Sequence, residues 1–71
     1  MSGLQQRVGK RIRELRTKRK WSQEEFADLC NLHRTYIGSV ERGERNLTIE
    51  SLHTIAKTLR VSLSELLRGM D

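Results

Sequence analysis

The sequence predicts an all-α fold, a compact five-helix domain built from short helices. Three observations carry that prediction. Apolar residues recur at the 3.6-residue period of a helix, while period-2 alternation is absent over any useful window. Ser22-Gln23-Glu24-Glu25 and Ser62-Leu63-Ser64-Glu65 have the form of capping boxes, which open helices. The chain has no proline to interrupt such elements, and asparagine or glycine falls where helices should stop.

The elements follow in order. Leu4, Val8, Ile12 and Leu15 share one helical face and predict a first helix of roughly Gln5 to Arg19. In the first capping box the Ser22 hydroxyl can accept the Glu25 backbone N–H, while the Glu25 carboxylate reaches back to the Ser22 N–H. A second helix therefore starts there and runs to about Leu29, with Phe26, Ala27 and Cys30 inward. Asn31 suits a left-handed stop. Ile37 and Val40 mark the inner face of a third helix, roughly Arg34 to Arg42, which Gly43 is placed to end. Glu44-Arg45-Asn46 reads as a polar loop. Thr48 caps a fourth helix with Leu52, Ile55, Ala56 and Leu59 inward. The second capping box opens a short fifth helix through about Arg68, closed by Gly69.

With 71 residues, 35% of them hydrophobic, the chain has material for one small core, so residues 1–71 read as one domain without a deep enzyme pocket. No enzymatic activity is expected, since no carboxylate cluster or catalytic triad is present. A single cysteine excludes an internal disulfide and fits a reducing, cytoplasmic setting. No apolar run approaches 18 residues, so neither a membrane span nor a signal peptide is expected. His33 and His53 have no convergent cysteines, so no metal or other cofactor is expected. Cys30 and Trp21 read as packing residues, and the Glu24-Glu25 pair as helix capping rather than acid–base chemistry.

The net charge of +5 and the pI near 10.2 favour a polyanionic partner. The charge is uneven: residues 1–20 carry +7, residues 21–47 carry −2 and residues 48–71 are neutral. The basic first helix is expected to supply long-range attraction and flanking phosphate contacts.

The most informative stretch is the second helix, a three-residue turn and the third helix. Phe26, Ala27, Leu32, Ile37 and Val40 are spaced to lock two helices at a steep angle. The outer face of the third helix carries Arg34, Thr35, Gly38, Ser39 and Arg42, with Tyr36 at its edge. These groups are polar, short or planar, as reaching base edges and phosphates requires. This is helix-turn-helix logic, with one helix on the backbone and the other in the major groove. His33 is placed either to touch phosphate or to cap the third helix.

At these residues the sequence resembles the Cro/phage-repressor-like (XRE) helix-turn-helix family. The stretch SQEEFADLCNLHRTYIGSVERGERNLTIESLHTIAKTLRVSLSELL carries the resemblance. The block NLHRTYIGSVERGERNLTIESL is most like the controller proteins of restriction–modification systems. The resemblance implies a lambda-repressor-like domain with the helix-turn-helix at about 22–42 and a dimer end at about 48–68. It implies a transcriptional regulator binding a double-stranded DNA operator as a homodimer and blocking or recruiting RNA polymerase.

Residue by residue, Gln23 matches a phosphate-holding position at the start of the second helix, which suits the free N–H groups and dipole of a helix N-terminus. Arg34, Thr35 and Ser39 match base-reading positions. Arg34 could bond a guanine O6/N7 edge, and Thr35 could pack its methyl on a thymine. Tyr36, Arg42, Arg45 and Asn46 match positions flanking the phosphate backbone. Arg16 and Glu41 match an internal salt bridge. Leu66, Leu67 and Met70 exceed what a short helix needs for its own core. They read either as a dimer face, as in the family, or as simple docking onto the fourth helix.

Two departures stand out. Lys20 occupies a position that is usually glycine in the family, so it either takes a strained left-handed conformation or the turn differs. Gly38 lies inside the recognition helix, where it costs about 0.8–1 kcal/mol against alanine. It either permits close approach to DNA or relieves packing between helices. An alternative reading is an antitoxin-type interaction module with autoregulatory DNA binding. Such proteins often carry an extra toxin-binding tail, and none is expected after the fifth helix.

Overall fold

In the computed structural model, which describes residues 3–70, five helices follow one another. They are α1 (Gly3–Lys18), α2 (Gln23–Cys30), α3 (Arg34–Glu41), α4 (Ile49–Leu59) and α5 (Leu63–Leu66). Both capping boxes are formed. Ser22 Oγ accepts from Glu25 N at 3.0 Å and Glu25 Oε1 accepts from Ser22 N at 2.8 Å. Ser62 and Glu65 repeat the pattern at 3.0 Å in both directions. Thr48 Oγ1 caps α4 by accepting Ser51 N at 3.0 Å.

Four helix stops share one geometry. After α1, Lys20 N donates to Thr17 O and Trp21 N to Arg16 O. The same pair of bonds closes α2 at Asn31, α3 at Gly43 and α4 at Arg60. The pivot residue is left-handed each time, with φ of 61° at Lys20, 58° at Asn31, 75° at Gly43 and 59° at Arg60. This is the Schellman stop, which satisfies orphan carbonyls and turns the chain sharply. Of the two alternatives left open for Lys20, the left-handed conformation is the one observed. Arg60 adopts it without any local marker in the sequence.

Helix α5 is shorter than expected, ending at Leu66 rather than near Arg68. Beyond Leu67 the backbone tightens to i→i−3 bonds, Arg68 N to Glu65 O and Met70 N to Leu67 O.

The core is formed by Val8, Ile12, Phe26, Ala27, Cys30, Ile37, Val40, Ile55, Ala56, Leu59 and Leu66. Burying each of the larger aliphatic or aromatic side chains is worth about 1.5–3 kcal/mol relative to leaving it in water. Trp21 stacks on Phe26 with ring centroids 5.8 Å apart, and the Arg19 guanidinium lies over the Trp21 ring at 5.5 Å from its centroid. Leu4, on the apolar face of α1, is 47% exposed in the helix's first turn. Helix α1 packs against α3 and α5, and α2 against α3 and α4.

Arginines of α1, and Arg19 just after it, bond to the C-terminal part of the fold. Arg7 Nη2 donates to Gly69 O at 2.9 Å, and Arg11 Nη2 to Glu65 O at 3.0 Å. Arg19 Nη2 donates to Leu59 O at 2.9 Å. Leu59 O is at the last residue of α4, Glu65 O is in α5 and Gly69 O lies just beyond it. The acceptors are neutral carbonyls, so the segment keeps its positive charge while these cations also serve the fold. Several of its cations tie the C-terminal helices to the rest of the fold. Among the described residues no helix is long and apolar enough to cross a membrane.

Candidate nucleic-acid interface

Asn31, Leu32 and His33 form the turn between α2 and α3. Asn31 supplies the left-handed stop, and Leu32 packs on the core. His33 caps α3, its Nδ1 accepting Thr35 N at 3.1 Å. With Nδ1 used as an acceptor, the neutral ring carries its proton on Nε2, which remains a donor.

The outer face of α3 begins with Arg34 and Thr35, both exposed. The Arg34 guanidinium faces Glu24 of α2 at 3.9 Å, a solvent-exposed pair worth about 0–1 kcal/mol. One turn on, Ser39 is half-buried and donates its hydroxyl to Tyr36 O at 2.8 Å. Its oxygen is left as an acceptor. Arg42 pairs with Glu44 at 3.0 Å, and Arg45 lies over the Tyr36 ring at 5.2 Å. Asn46 Oδ1 accepts from Gln5 Nε2, which ties the α3–α4 loop to the start of α1. The structure thus brings Gln23, Arg34, Thr35, Ser39 and Arg42 to the α2–α3 unit, with Tyr36, Arg45 and Asn46 along one flank.

Behind this face lies the ion pair between α1 and α3. Arg16 Nε and Nη2 hold Glu41 Oε2 and Oε1 at 2.7 and 3.0 Å, and Arg16 Nη1 donates to Trp21 O at 2.7 Å. Both side chains are buried. A two-point guanidinium–carboxylate fork fixes orientation as well as distance. Gln23 Nε2 adds a third bond to this carboxylate, reaching Glu41 Oε1 at 3.0 Å.

Sequence reasoning missed Gly9. It lies where α1 meets α3, and a Cβ there would come within 2.3 Å of Val40 O. Its sequence signal was a glycine placed between Val8 and Ile12 on the inner side of α1. The acidic residues Glu24 and Glu44 were also missed as neighbours of Arg34 and Arg42.

The three residues assigned to a dimer end separate. Leu66 has no exposed surface and belongs to the chain's own core, so it is not available to a second copy. Leu67 and Met70 are half-buried at an open apolar groove of about 450 Å³. Leu4, Val8, Leu47 and Leu52 line its remainder, with Arg45 and Asn46 on the rim. Ile49, at the start of α4, is 80% exposed.

A five-helix fold with an exposed α3 set against α2 defines a helix-turn-helix protein. The helix-turn-helix family profile matches residues 12–66, and the chain belongs to that family. Among its relatives, control protein C.SmaI of Serratia marcescens is 47% identical over 60 residues, covering 84% of this chain and 71% of that protein. Control protein C.MunI of a Mycoplasma species is 38% identical, covering 100% of this chain and 97% of that protein. The restriction–modification controller protein C.Esp1396I, solved as a tetramer in complex with its natural 35 base-pair operator, superposes with a TM-score of 0.88. It is 40% identical, with 99% of this chain and 92% of that one covered.

Proposed function

We propose that this chain is a sequence-specific duplex-DNA-binding transcriptional regulator that acts as a homodimer on a pseudo-palindromic operator and controls restriction–modification genes. One observation carries the reading: Arg34 and Thr35 stand exposed at the start of a helix whose pose is fixed from behind by the buried Arg16–Glu41 fork. Likeness to C.Esp1396I, which was solved on its operator, supports it.

In the complex, Arg34 exchanges Glu24 for a guanine O6/N7 edge, and Thr35 meets a neighbouring base through its methyl or hydroxyl. Ser39 reads as an acceptor, suited to an amino group of adenine or cytosine. Gln23, His33, Tyr36, Arg42, Arg45 and Asn46 hold the sugar–phosphate backbone and set register. The second copy docks on the apolar groove through Leu67 and Met70. Half-sites then lie about 34–36 Å apart, one helical turn. Residues 1–71 work as one domain in the cytoplasm without a catalytic step, and regulation follows from blocking or recruiting RNA polymerase.

The test is binding-site selection from random duplex DNA at two salt concentrations. A two-fold symmetric consensus is expected. Arg34→Ala should cost about 1–3 kcal/mol on that consensus and relax the preference at one base pair per half-site. If the variant kept the full preference, the base-reading assignment would be wrong. Sequence-independent binding with a steep salt slope would reduce the chain to a general DNA binder.

A further inference from the structure

Gly38 and Glu41 lie one turn apart on α3 and meet the same amide. Gln23 Nε2 is held by Glu41 Oε1 at 3.0 Å, while Gln23 Oε1 would lie 3.6 Å from a Cβ at position 38. Arg42 Nη1 would lie 3.2 Å from that same Cβ. The missing side chain at position 38 therefore forms a niche into which Gln23 and Arg42 both fold. We infer that Glu41 and Gly38 are positioning residues for DNA binding, which set the pose of Gln23 and Arg42 toward the phosphate backbone. This rests on the DNA-binding reading above.

The physical argument has two parts. Glu41 is a buried carboxylate whose charge is matched by Arg16, and one of its oxygens serves both Arg16 and Gln23. The carboxylate is buried while Gln23 is exposed, so this part-buried, charge-assisted hydrogen bond holds the amide at the edge of the interior. It uses one amide hydrogen and leaves the other, together with the N–H groups at the start of α2, to serve a phosphate oxygen. Gly38 settles the two readings left open by the sequence in a third way. It neither contacts a facing helix backbone nor needs the DNA to explain it. A methyl group there would crowd the Arg42 guanidinium tip and fill the space beside the Gln23 amide at ordinary contact distance.

The experiment uses the selected operator as probe, with thermal melting, affinity and phosphate-ethylation interference as readouts. Gly38→Ala should melt at or above the unaltered protein, because alanine favours helix and only a flexible guanidinium must yield. It should nevertheless bind about tenfold more weakly, the loss of one hydrogen bond to a charged group. In an Arg42→Ala, Gln23→Ala background it should add little. The paired change Arg16→Met with Glu41→Leu replaces the buried ions by apolar groups and should remain folded. It should bind about as weakly as Gln23→Ala, lose interference at the same phosphate, and gain no further defect from Gln23→Ala.

Wild-type affinity in either folded variant overturns the inference. So does a Gly38→Ala penalty that adds in full to Gln23→Ala and Arg42→Ala, since the methyl would then be meeting DNA directly. Should the paired change fail to fold, Gly38→Ala, with its ion pair intact, decides alone. If the unaltered protein selected no sequence, the DNA-binding reading would fail and this inference with it.

Discussion

Gly9→Ala is the sharpest test of how α3 is held. The added Cβ would stand 2.3 Å from Val40 O and 2.8 Å from Glu41 O. Ordinary carbon–oxygen approaches are about 3.3 Å or more, so the helices must part by about 1 Å. Both obstacles are backbone atoms and cannot swing aside. Overpacking of this kind costs about 1–3 kcal/mol, and rigid neighbours place this case at the upper end. Better helix propensity returns about 0.8–1 kcal/mol, leaving a net loss of about 2 kcal/mol. Against the roughly 4–11 kcal/mol that a domain of this size possesses, that is a large fraction. It corresponds to a fall of about 8–16 °C in Tm at about 4–8 °C per kcal/mol. Circular dichroism melts and urea midpoints measure it. The displaced carbonyls belong to the end of α3, so on the proposed DNA-binding reading operator affinity should fall as well. A variant melting at or above wild type, as an exposed helical glycine would when replaced by alanine, refutes the close α1–α3 crossing.

Other outcomes follow from single features. Lys20→Gly and Arg60→Gly relieve left-handed backbone at non-glycine residues and should each stabilise by about 0.5–1 kcal/mol after the added freedom of the unfolded chain is counted. A lower urea midpoint in either contradicts the strain. Burial pushes the Cys30 thiol up, against a smaller opposing effect of its hydrogen bond to Thr58. The thiol should therefore stay protonated at neutral pH and react with an aromatic disulfide reagent only as fast as the fold opens. Immediate labelling in the native state would exclude that burial. The Glu65 carboxyl is held below the usual carboxylate range by hydrogen bonds from the Ser62 backbone and then its hydroxyl. A lowered folded value means its contribution is present above the ordinary carboxylate range and is lost as pH falls through that lowered value. Acid titration of stability should flatten in that window in Glu65→Gln, and an unchanged profile would remove the cap from the account.

Local chemistry made much of this fold legible. Ser22, Thr48 and Ser62 mark helix starts because a cap depends on residues only two or three positions away. Asn31 and Gly43 mark stops for the same reason. Arg60 gave no such sign, since its left-handed turn is imposed by packing of α4 and Val61 onto the core. Gly9 was illegible because only the α1–α3 crossing shows what a methyl group would strike. Leu66 and Leu67 are alike as residues and adjacent in the chain. One is wholly inside and the other borders a groove, and the angle at which α5 docks makes that distinction. The outward face of α3 was readable from side-chain type. The hydrogen bond from Gln23 to Glu41 was not, because it spans separate helices.

Charge makes the same point at the scale of the whole domain. A +7 segment suggests a surface for phosphate, yet Arg7, Arg11, Arg16 and Arg19 donate to carbonyls or to Glu41 within the fold. At the two ends of α3, Arg34 and Arg42 each have an acidic neighbour in Glu24 and Glu44. Such exposed pairs hold by only about 0–1 kcal/mol, so a guanine edge or phosphate can replace the carboxylate at small cost. A sequence offering no partner for Arg34 leaves Glu24 near the phosphates with nothing to offset its repulsion. Weak internal pairing therefore lowers the return from charge alone and raises the share of affinity that depends on correct base contacts. If Arg34 and Arg42 meet DNA as proposed, the carboxylates beside them favour duplexes that offer each cation a partner in exchange.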